Sequence, residues 1–392
     1  MDPLQSQRVL AIKPSPTLAV TSRAAELKAQ GKQIIGLGAG EPDFDTPDHI
    51  KQAAIQAIHD GKTKYTAVDG TAELKQAVID KFSRDNQLGY LASQILISSG
   101  GKQSFFNLSL ALLNTGDEVI IPAPYWVSYP DMVRIADATP VIISANQQQG
   151  FKITAEQLAE AITPRTRLFV LNSPSNPTGA AYTRQELSEL AEVLIKHPRI
   201  VIASDDMYEH ILWGREPFCN LLNVCPALYD RTIVLNGVSK AYSMTGWRIG
   251  YAAGPERLIK GMKKVQSQST SNPCSIAQAA ATEALNGPQD CVQEMLKAFK
   301  SRHDFVLSRL NLIEGVYSVP SSGTFYSFPS FHEVLKVRGG NDVELAEYLL
   351  NTAGVALVPG SAFGSEGYMR LSFATSRESL AEALDRIEKA LS

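Results

Sequence analysis

TIVLNGVSKAYSMTGWRIGYAA, residues 232–253, holds one lysine between two apolar runs. Thr232–Leu235 and Ile249–Ala253 are short and rich in apolar residues, which predicts two buried strands. Lys240 then lies in the loop that joins these strands. Because an ammonium group is costly to bury, a lysine in such a place loses its proton or meets an anion. Both outcomes indicate chemistry at Lys240.

The charge balance and the cysteine content exclude several classes of protein. The 392 residues carry 37 Lys and Arg against 40 Asp and Glu, and no basic block could neutralise several phosphates of a nucleic acid. The four cysteines form no CxxC pair and have no histidine at metal-ligand spacing. Neither a signal peptide nor a run of ~18 apolar residues is visible. We expect a cytoplasmic protein without nucleic-acid, membrane or metal partners.

Apolar runs alternate with helical patterns along much of the chain. The segments FFNLSLALLN and TRQELSELAEVLIKH repeat apolar residues every three or four positions, which predicts helices between strands. This alternation predicts an α/β fold whose large domain contains a seven-stranded, mostly parallel sheet. The predicted strands are Ile95–Ser98, Val119–Pro122, Val141–Ser144, Leu168–Leu171, Ile200–Ser204, Thr232–Leu235 and Ile249–Ala253.

The pattern changes from about Cys291 to long amphipathic helices with short strands at Gly323–Phe328 and Met369–Phe373. This change predicts a smaller α+β domain, and we expect the N-terminal segment to pack with it. We therefore assign residues 47–290 to the large domain. Residues 1–46 and 291–392 form the predicted small domain.

Two glycine-rich segments are similar to phosphate-binding loops. GLGAGEP (36–42) has Glu41 in place of the last glycine of a dinucleotide fingerprint, which argues against nucleotide binding there. SSGGKQS (98–104) has Gln103 at the position where the phosphate loop of a nucleoside triphosphatase needs Ser or Thr to bind magnesium. It does join a strand to a helix, so Gly101 and the amides after it can bind a phosphate. A tight turn is the alternative interpretation.

Other polar residues follow predicted strands and have structural alternatives. Asp205 lies just beyond a buried strand, where it can pair with a cation, although it or Asp206 can instead cap the next turn. Asn176 in NSPSNPTG is a ligand donor or a turn former. Trp126 is a cofactor platform or a core residue. Arg370 in the second domain binds an anion or forms a structural salt bridge.

These residues, except Arg370, share the carboxyl edge of one sheet, where parallel sheets bind ligands. A phosphate site, a buried lysine, an aspartate, an aromatic ring and an arginine for a carboxylate are the parts of a pyridoxal 5′-phosphate enzyme. In such an enzyme the lysine condenses with the cofactor aldehyde. The aspartate keeps the pyridine nitrogen protonated, so that the ring accepts electrons. We therefore expect Lys240 to bind this cofactor.

The chain resembles the class I aminotransferases of fold type I in AGEPDFDTP, GKTKYTAVDG, NSPSNPTG, SDDMYEH and SKAYSMTGWRIGY. The resemblance runs from about Lys13 to the C-terminus. It is strongest with the gamma subgroup of bacterial aspartate aminotransferases, which includes enzymes that aminate prephenate. The resemblance implies a pyridoxal-phosphate-dependent transaminase that acts on amino acids and 2-oxo acids.

The resemblance also implies a role for each matching residue. Lys240 binds the cofactor covalently and moves a proton between the substrate Cα and the cofactor. Arg370 binds the substrate α-carboxylate with the Gly40 backbone nearby, and Trp126 and Asn176 also face the substrate. The implied cofactor contacts are Asp205 at the pyridine nitrogen, Tyr208 and Asn176 at the 3′ oxygen, Trp126 on the ring, Gly101, Lys102, Gln103, Ser239 and Arg248 at the phosphate, and Tyr65 at the phosphate of a second subunit in a homodimer.

Two features depart from the wider family. Gly237 stands where many members have a serine three residues before the lysine, so the resemblance does not imply that hydroxyl contact to the phosphate here. The segment STSNPCS also lacks the arginine that binds the distal carboxylate in another subgroup. In the gamma subgroup a lysine binds the distal carboxylate, together with a threonine and a nearby cation. The corresponding residues here are Lys102, Thr17 and Lys13.

These residues imply transfer of an amino group from L-aspartate to 2-oxoglutarate, giving oxaloacetate and L-glutamate. A glutamate or aspartate–prephenate aminotransferase that makes L-arogenate is the alternative. A β-lyase or racemase on the same scaffold is a further one. A cofactor-sensing transcription regulator would need a basic helix-turn-helix before AGEPDF, and only about forty residues precede that motif. The intact Lys240, Asp205 and Arg370 argue against a catalytically silent relative.

Overall fold

The computed structural model describes residues 4–214 and 216–392. No helix in these ranges is long and apolar enough to cross a membrane. The α-helices are α1 (Gln7–Leu10), α2 (Pro16–Ala29), α3 (Asp48–His59), α4 (Ala72–Lys81), α5 (Gly101–Leu112), α6 (Tyr129–Ile135), α7 (Ala155–Ala161), α8 (Arg184–Leu194), α9 (Leu221–Val224), α10 (Glu256–Ser267), α11 (Ser275–Asn286), α12 (Asp290–Leu310), α13 (His332–Arg338), α14 (Asp342–Tyr348) and α15 (Arg377–Leu391). The β-strands are β1 (Ile35–Gly36), β2 (Ile95–Ser98), β3 (Glu118–Ala123), β4 (Thr139–Ser144), β5 (Thr166–Asn172), β6 (Val201–Asp205), β7 (Thr232–Gly237), β8 (Gly250–Ala253), β9 (Tyr326–Ser327), β10 (Val355–Ala356), β11 (Val358–Pro359) and β12 (Met369–Ser372).

Strands β2 to β8 form one seven-stranded sheet in the part of the chain that the structure describes, in the order β2-β8-β7-β6-β5-β3-β4. The pairs within β7-β6-β5-β3-β4 are parallel, and β8 runs antiparallel to both of its neighbours. These strands coincide with the seven predicted apolar runs to within two residues at each end. The predicted α/β fold with a mostly parallel sheet is confirmed.

Both faces of this sheet are covered by helices. Along β2, Ile95 and Ile97 pack in the core that also holds α4, α8 and α11, whereas Leu96 packs in the core that holds α5, α6 and α10. Side chains of a strand alternate between faces, so a strand buried on both sides must be apolar throughout. The polar residues that follow the strands are therefore left at the edges of the sheet.

The rest of the chain builds a second layer of structure. Strands β11, β12 and β9 form an antiparallel sheet against a core with Phe299 of α12 and Leu384 of α15. The N-terminal segment packs on the same core through Leu37, and its strand β1 pairs with β10 in a separate two-stranded parallel sheet. The predicted domain borders lie just before α3 and at the start of α12. The division into residues 47–290 and the remainder stays a prediction.

One predicted strand is much shorter than expected. Only Tyr326–Ser327 of the predicted strand Gly323–Phe328 pairs with β12. Thr324 has a φ of +66°, and its amide donates to the backbone oxygen of Ile211. A residue in this left-handed conformation cannot continue an extended strand. The prediction of a strand from residue 323 was therefore wrong at its N-terminal end.

Candidate active site

A cavity of about 430 Å³ opens at the carboxyl edge of the seven-stranded sheet. The loops after β2, β3, β5, β6 and β7 form one side of this cleft, and the N-terminal segment with β12 forms the other. The predicted site residues that line the cleft are Thr17, Gly40, Gly101, Lys102, Trp126, Asn176, Asp205, Tyr208, Ser239, Lys240, Arg248 and Arg370.

Lys240 lies in the connection between β7 and β8, as the sequence predicted. Its Nζ donates a hydrogen bond of 2.5 Å to the backbone oxygen of Gly40, and the rings of Tyr208 and Phe325 lie 5.9 Å from it. Burial, with the nearby charge of Arg370, lowers the pKa of Lys240 to about 8. The neutral, nucleophilic amine is therefore far more accessible than in an ordinary lysine.

Two adjacent aspartates at the end of β6 face different surroundings. Asp205 lines the cleft, and its Oδ2 accepts a hydrogen bond of 2.5 Å from the Tyr129 hydroxyl. Asp206 is buried behind the cleft wall, where it accepts hydrogen bonds from Ser204 and Asn220. Burial raises the pKa of both carboxyls, well above the ordinary value in Asp206. Asp205 is thus the carboxyl that a ligand in the cleft meets.

The glycine turn after β2 is packed too tightly for side chains. A Cβ on Gly100, whose φ is +90°, would lie 2.4 Å from the Arg248 guanidinium. A Cβ on Gly250 of β8 would lie 2.3 Å from the amide nitrogen of Gly101. The turn leads into α5, whose first amides lack intrahelical acceptors and carry the positive end of the helix dipole. A guanidinium beside a helix N-terminus suits a phosphate.

Arg370 is buried, with 2% of its surface exposed. Its Nη1 donates to Asn176 Oδ1 at 2.9 Å, and its Nη2 donates to the Gly38 backbone oxygen at 2.7 Å. The guanidinium lies 4.4 Å from the ring of Tyr326 and 5.1 Å from that of Phe363. Its Nε has no hydrogen-bond partner among the described residues. These bonds to neutral oxygens give no support to the alternative of a structural salt bridge.

The outer wall of the cleft carries polar groups without such fixed partners. Lys102 is exposed, and its Nζ lies 5.2 Å from the ring of Trp126. Thr17, at the start of α2, has a buried Oγ1 with no hydrogen-bond partner within residues 4–214 and 216–392. A buried, unpaired hydroxyl is costly unless a ligand or water satisfies it. This wall is therefore suited to bind a polar group of a ligand.

Three predicted site residues lie outside the cleft. The side chain of Gln103 bonds to Thr270 and to the Ser99 amide, and its own amide donates to a backbone carbonyl of the turn, so its predicted contact with the phosphate stays a prediction. Lys13 lines a separate cavity of about 560 Å³. Helix α2 lies between this cavity and the cleft. Tyr65 is 93% exposed, and its predicted contact with a second subunit stays a prediction.

The structure also adds residues that the sequence did not single out. Tyr129 holds Asp205, and the Tyr326 hydroxyl lies 3.0 Å from that of Tyr208 while its ring supports Arg370. Tyr129 belongs to APYWVSYP, next to the predicted Trp126, but no spacing rule points to it. Glu41 of GLGAGEP lines the cleft mouth and accepts a hydrogen bond from a threonine of the Lys240 loop.

Pyridoxal 5′-phosphate fits these residues. Arg248 and Arg370 bond only to neutral oxygens in the described structure and face one cavity, which a phosphate and a substrate carboxylate would neutralise. The orphaned Nε of Arg370 is a donor that such a carboxylate would use. Lys240 would provide an amine of lowered pKa for the cofactor aldehyde, and Asp205 would provide an acceptor for the pyridine nitrogen.

Comparison with known proteins agrees with this site. A family model described as aminotransferase class I and II matches residues 32–387. The aspartate/prephenate aminotransferase of Nitrosomonas europaea is 60% identical over 394 residues, which cover 99% of each chain. The crystal structure of the aspartate aminotransferase of Rhizobium meliloti matches with a TM-score of 0.95 and 50% identity, over 99% of this chain and 98% of that one.

A second solved structure, the Thermus thermophilus aspartate aminotransferase with maleate, matches with a TM-score of 0.93 and 44% identity, over 98% of this chain and 99% of that one. These matches span nearly the whole chain. The chain therefore belongs to the class I and II aminotransferases, the enzymes that use pyridoxal 5′-phosphate to move amino groups between amino acids and 2-oxo acids.

Proposed function

We propose that this aminotransferase moves the amino group of L-aspartate to 2-oxoglutarate, giving oxaloacetate and L-glutamate. The observation that carries the proposal is the presence of Arg370 and Lys102 in the same cleft, a buried guanidinium and an exposed ammonium. A dicarboxylic substrate offers one carboxylate to each. The names of the relatives support this choice, and the Thermus enzyme was solved with maleate, a dicarboxylate.

Arg370 binds the substrate α-carboxylate in this proposal. Asn176, Gly38 and the ring of Tyr326 already hold its guanidinium in place, so little side-chain freedom is lost when the substrate binds. The remaining N–H groups, including the unpaired Nε, donate to the carboxylate oxygens. The substrate Cα is thereby fixed on the side of the cleft that Lys240 lines.

Lys240 is the proposed proton carrier. Bound pyridoxal 5′-phosphate supplies an electron sink for the electron pair left when the Cα–H bond breaks. Lys240 Nζ in its neutral form, which the lowered pKa favours, would remove the Cα proton and hold it for return within the cleft. Asp205 keeps the pyridine nitrogen protonated, and Tyr129 orients Asp205. Oxaloacetate would leave the cleft before 2-oxoglutarate binds in it, and bound pyridoxal 5′-phosphate would carry the amino group between the two.

Prephenate is the second candidate acceptor, because the relative from Nitrosomonas europaea is named for it as well as for aspartate. Prephenate also carries a distal carboxylate, on a bulkier ring. The cavity of about 560 Å³ behind α2 gives that helix room to move away from a larger substrate. A β-lyase is less well supported, since each named relative is an aminotransferase.

We further propose that the enzyme is a cytoplasmic homodimer. Tyr65 is 93% exposed, and Ile55 and Ile58 of α3 are also exposed, which suits a face that a second copy covers. In this arrangement Tyr65 would reach the phosphate of the other subunit.

The free cysteines Cys219, Cys225, Cys274 and Cys291 suit a reducing compartment such as the cytoplasm.

The test is a comparison of kcat/KM for aspartate, alanine and phenylalanine as donors, and for oxaloacetate and prephenate as acceptors. In Lys102→Ala we expect kcat/KM for dicarboxylic substrates to fall about 10- to 100-fold, which is about 1.4 to 2.7 kcal/mol. The loss stays in this range because Lys102 is exposed and its charge is partly screened. The kcat/KM of Lys102→Ala for alanine should equal that of wild type. Lys264→Ala on the exposed side of α10 is the matched control.

Two results would contradict the proposal. Wild-type enzyme that uses alanine or phenylalanine as well as aspartate would not need a distal cation. A Lys102→Ala variant that loses activity equally on monocarboxylic and dicarboxylic substrates would show that Lys102 serves only the phosphate turn.

A further inference from the structure

A buried polar cluster lies behind the residues that line the cleft. None of its members has been given a role in the site described above. Its members are Lys81, Asn86, Glu209 and Asn236, each at most 6% exposed. They come from the end of α4, the turn after it, the segment after β6 and strand β7. Burying a charged pair at this depth is expensive, so the cluster needs an explanation beyond ordinary core packing.

Glu209 is the centre of the cluster. Its Oε1 accepts hydrogen bonds from Lys81 Nζ and from Asn236 Nδ2, the latter 2.6 Å long. Its Oε2 accepts a hydrogen bond of 2.6 Å from Asn86 Nδ2, and Asn86 Oδ1 in turn accepts one of 2.6 Å from Lys81. The carboxylate is thus held by three side chains, two from the end of α4 and the turn after it and one from β7, which fix its position.

The cluster connects the two segments that carry the cofactor-facing residues. Glu209 directly follows Tyr208 in the segment that begins at Asp205. Asn236 lies four residues before Lys240, and its Oδ1 accepts a hydrogen bond of 2.7 Å from the Gly237 amide. The bond from Asn236 to Glu209 therefore joins the start of the Lys240 loop to the residue next to Tyr208.

The charges around Glu209 favour its ionised form. Burial alone would raise its pKa, but Lys81 and the neighbouring His210 and Asn86 lower it to about 2. His210 Nε2 lies 3.5 Å from Glu209 Oε1, and Asp85 lies 3.9 Å from Lys81 Nζ. Burial lowers the pKa of His210 itself. The acceptor of the Asn236 bond is therefore a full carboxylate, which makes a stronger hydrogen bond than a neutral group.

Stability is a poor reason for such an arrangement, since replacing a buried ion pair by apolar groups is often neutral or stabilising. Its distinctive property is fixed geometry. We propose that Glu209, held by Lys81 and bonded to Asn236, is a positioning residue that sets the Lys240 loop relative to Tyr208. This inference rests on the proposed roles of Lys240 and Tyr208 in the cofactor site.

The first test is Glu209→Gln, which keeps the shape and removes the charge. We expect kcat for aspartate and 2-oxoglutarate to fall about 10- to 100-fold with KM changed less than about threefold, because a displaced amine affects proton transfer more than binding. The pH midpoint at which the visible absorption band of the bound cofactor changes should shift by about 0.5 or more. A residue that only stabilises the fold would leave that midpoint unchanged.

Asn236→Ala is the second test, and it stands on its own if Glu209→Gln fails to fold. It breaks the link to the Lys240 loop but leaves the bond between Lys81 and Glu209 intact. We expect kcat to fall as in Glu209→Gln and the midpoint to shift in the same direction as in that variant. The loss of Tm should be smaller than in Glu209→Gln.

Glu118→Gln is the matched control. Glu118 is a buried carboxylate that bonds to Arg165 and Thr163 at the opposite end of the sheet, at the start of β3. The Glu118→Gln variant should have a lower Tm than wild type, with kcat and the pH midpoint of the absorption band unchanged. Midpoints that stay within about 0.2 of wild type in Glu209→Gln and Asn236→Ala, or an equal shift in Glu118→Gln, would overturn the inference. If wild type proves not to prefer aspartate, the proposed substrate fails, but the midpoint measurement still decides the role of Glu209.

Discussion

The floor and the outer wall of the cleft are built in different ways. On the floor, Asp205 and Arg370 have fixed protein partners, and Lys240 lies against aromatic rings and a backbone carbonyl. On the outer wall, Lys102 is exposed and the hydroxyl of Thr17 is unpaired among the described residues. In the proposed function, the floor holds the groups that every transamination uses, whereas the outer wall holds groups whose partner comes from the substrate. Catalysis and substrate choice are therefore separable in this cleft.

The largest effect is expected on the floor, at Lys240. Lys240→Ala should lower turnover by at least about 10⁴-fold, because both the covalent partner of the cofactor and the proton carrier are removed. Some cofactor should remain bound, since the phosphate turn and Asp205 are intact. The purified wild type should be yellow, and borohydride reduction followed by peptide mapping should place the pyridoxyl group on Lys240. A pyridoxyl group on another lysine would contradict the assignment of the floor.

The second effect distinguishes two neighbouring carboxyls. Asp205→Asn should lower kcat about 30- to 1,000-fold, because the pyridine nitrogen loses a charged partner in a buried setting. Asp206→Asn should change kcat less than about threefold. Asp206 is buried behind the cleft, where its carboxyl faces Ser204 and Asn220 instead of a ligand. Equal losses in the two variants, or the reverse order, would show that the wrong carboxyl has been placed on the floor.

The smallest effect is expected on the outer wall. Thr17→Val should lower kcat/KM for aspartate about 3- to 10-fold through the loss of one hydrogen bond, and leave alanine unaffected. It should not lower Tm, because the Thr17 hydroxyl has no partner among the described residues. Activity on aspartate and alanine and the thermal midpoint are measured on the same preparation. A variant that loses both activities equally would mean that the wall, like the floor, serves every substrate.

The sequence predicted most of the floor, and the reason is local. Apolar runs mark the strands, and the polar residues that follow them must lie at the sheet edge, so Asp205, Asn176 and Lys240 could be placed together before the structure was known. The choice between Asp205 and Asp206 came from the family resemblance, and the structure puts only Asp205 on the cleft.

What the sequence did not predict depends on side-chain direction and on contacts between distant segments. Gln103 follows a lysine that lines the cleft, yet its side chain turns to Thr270, 167 residues along the chain. Tyr129 and Glu209 gain their roles only when strands far apart in the sequence meet. The proposed role of Tyr65 depends on a contact with a second subunit, and a contact between two chains leaves no pattern in the sequence of one.

The hydrogen bond from Arg370 to the Gly38 carbonyl spans 332 residues. On the ribosome, the sheet with Asp205 and Lys240 can be complete while Arg370 has not yet been synthesised, since domains fold as units from the N-terminal side. A nascent chain at that stage has the parts to bind cofactor but no group for the substrate carboxylate. During biosynthesis, Lys240 is thus present in a folded sheet before Arg370, the residue proposed to bind the substrate carboxylate, has been made.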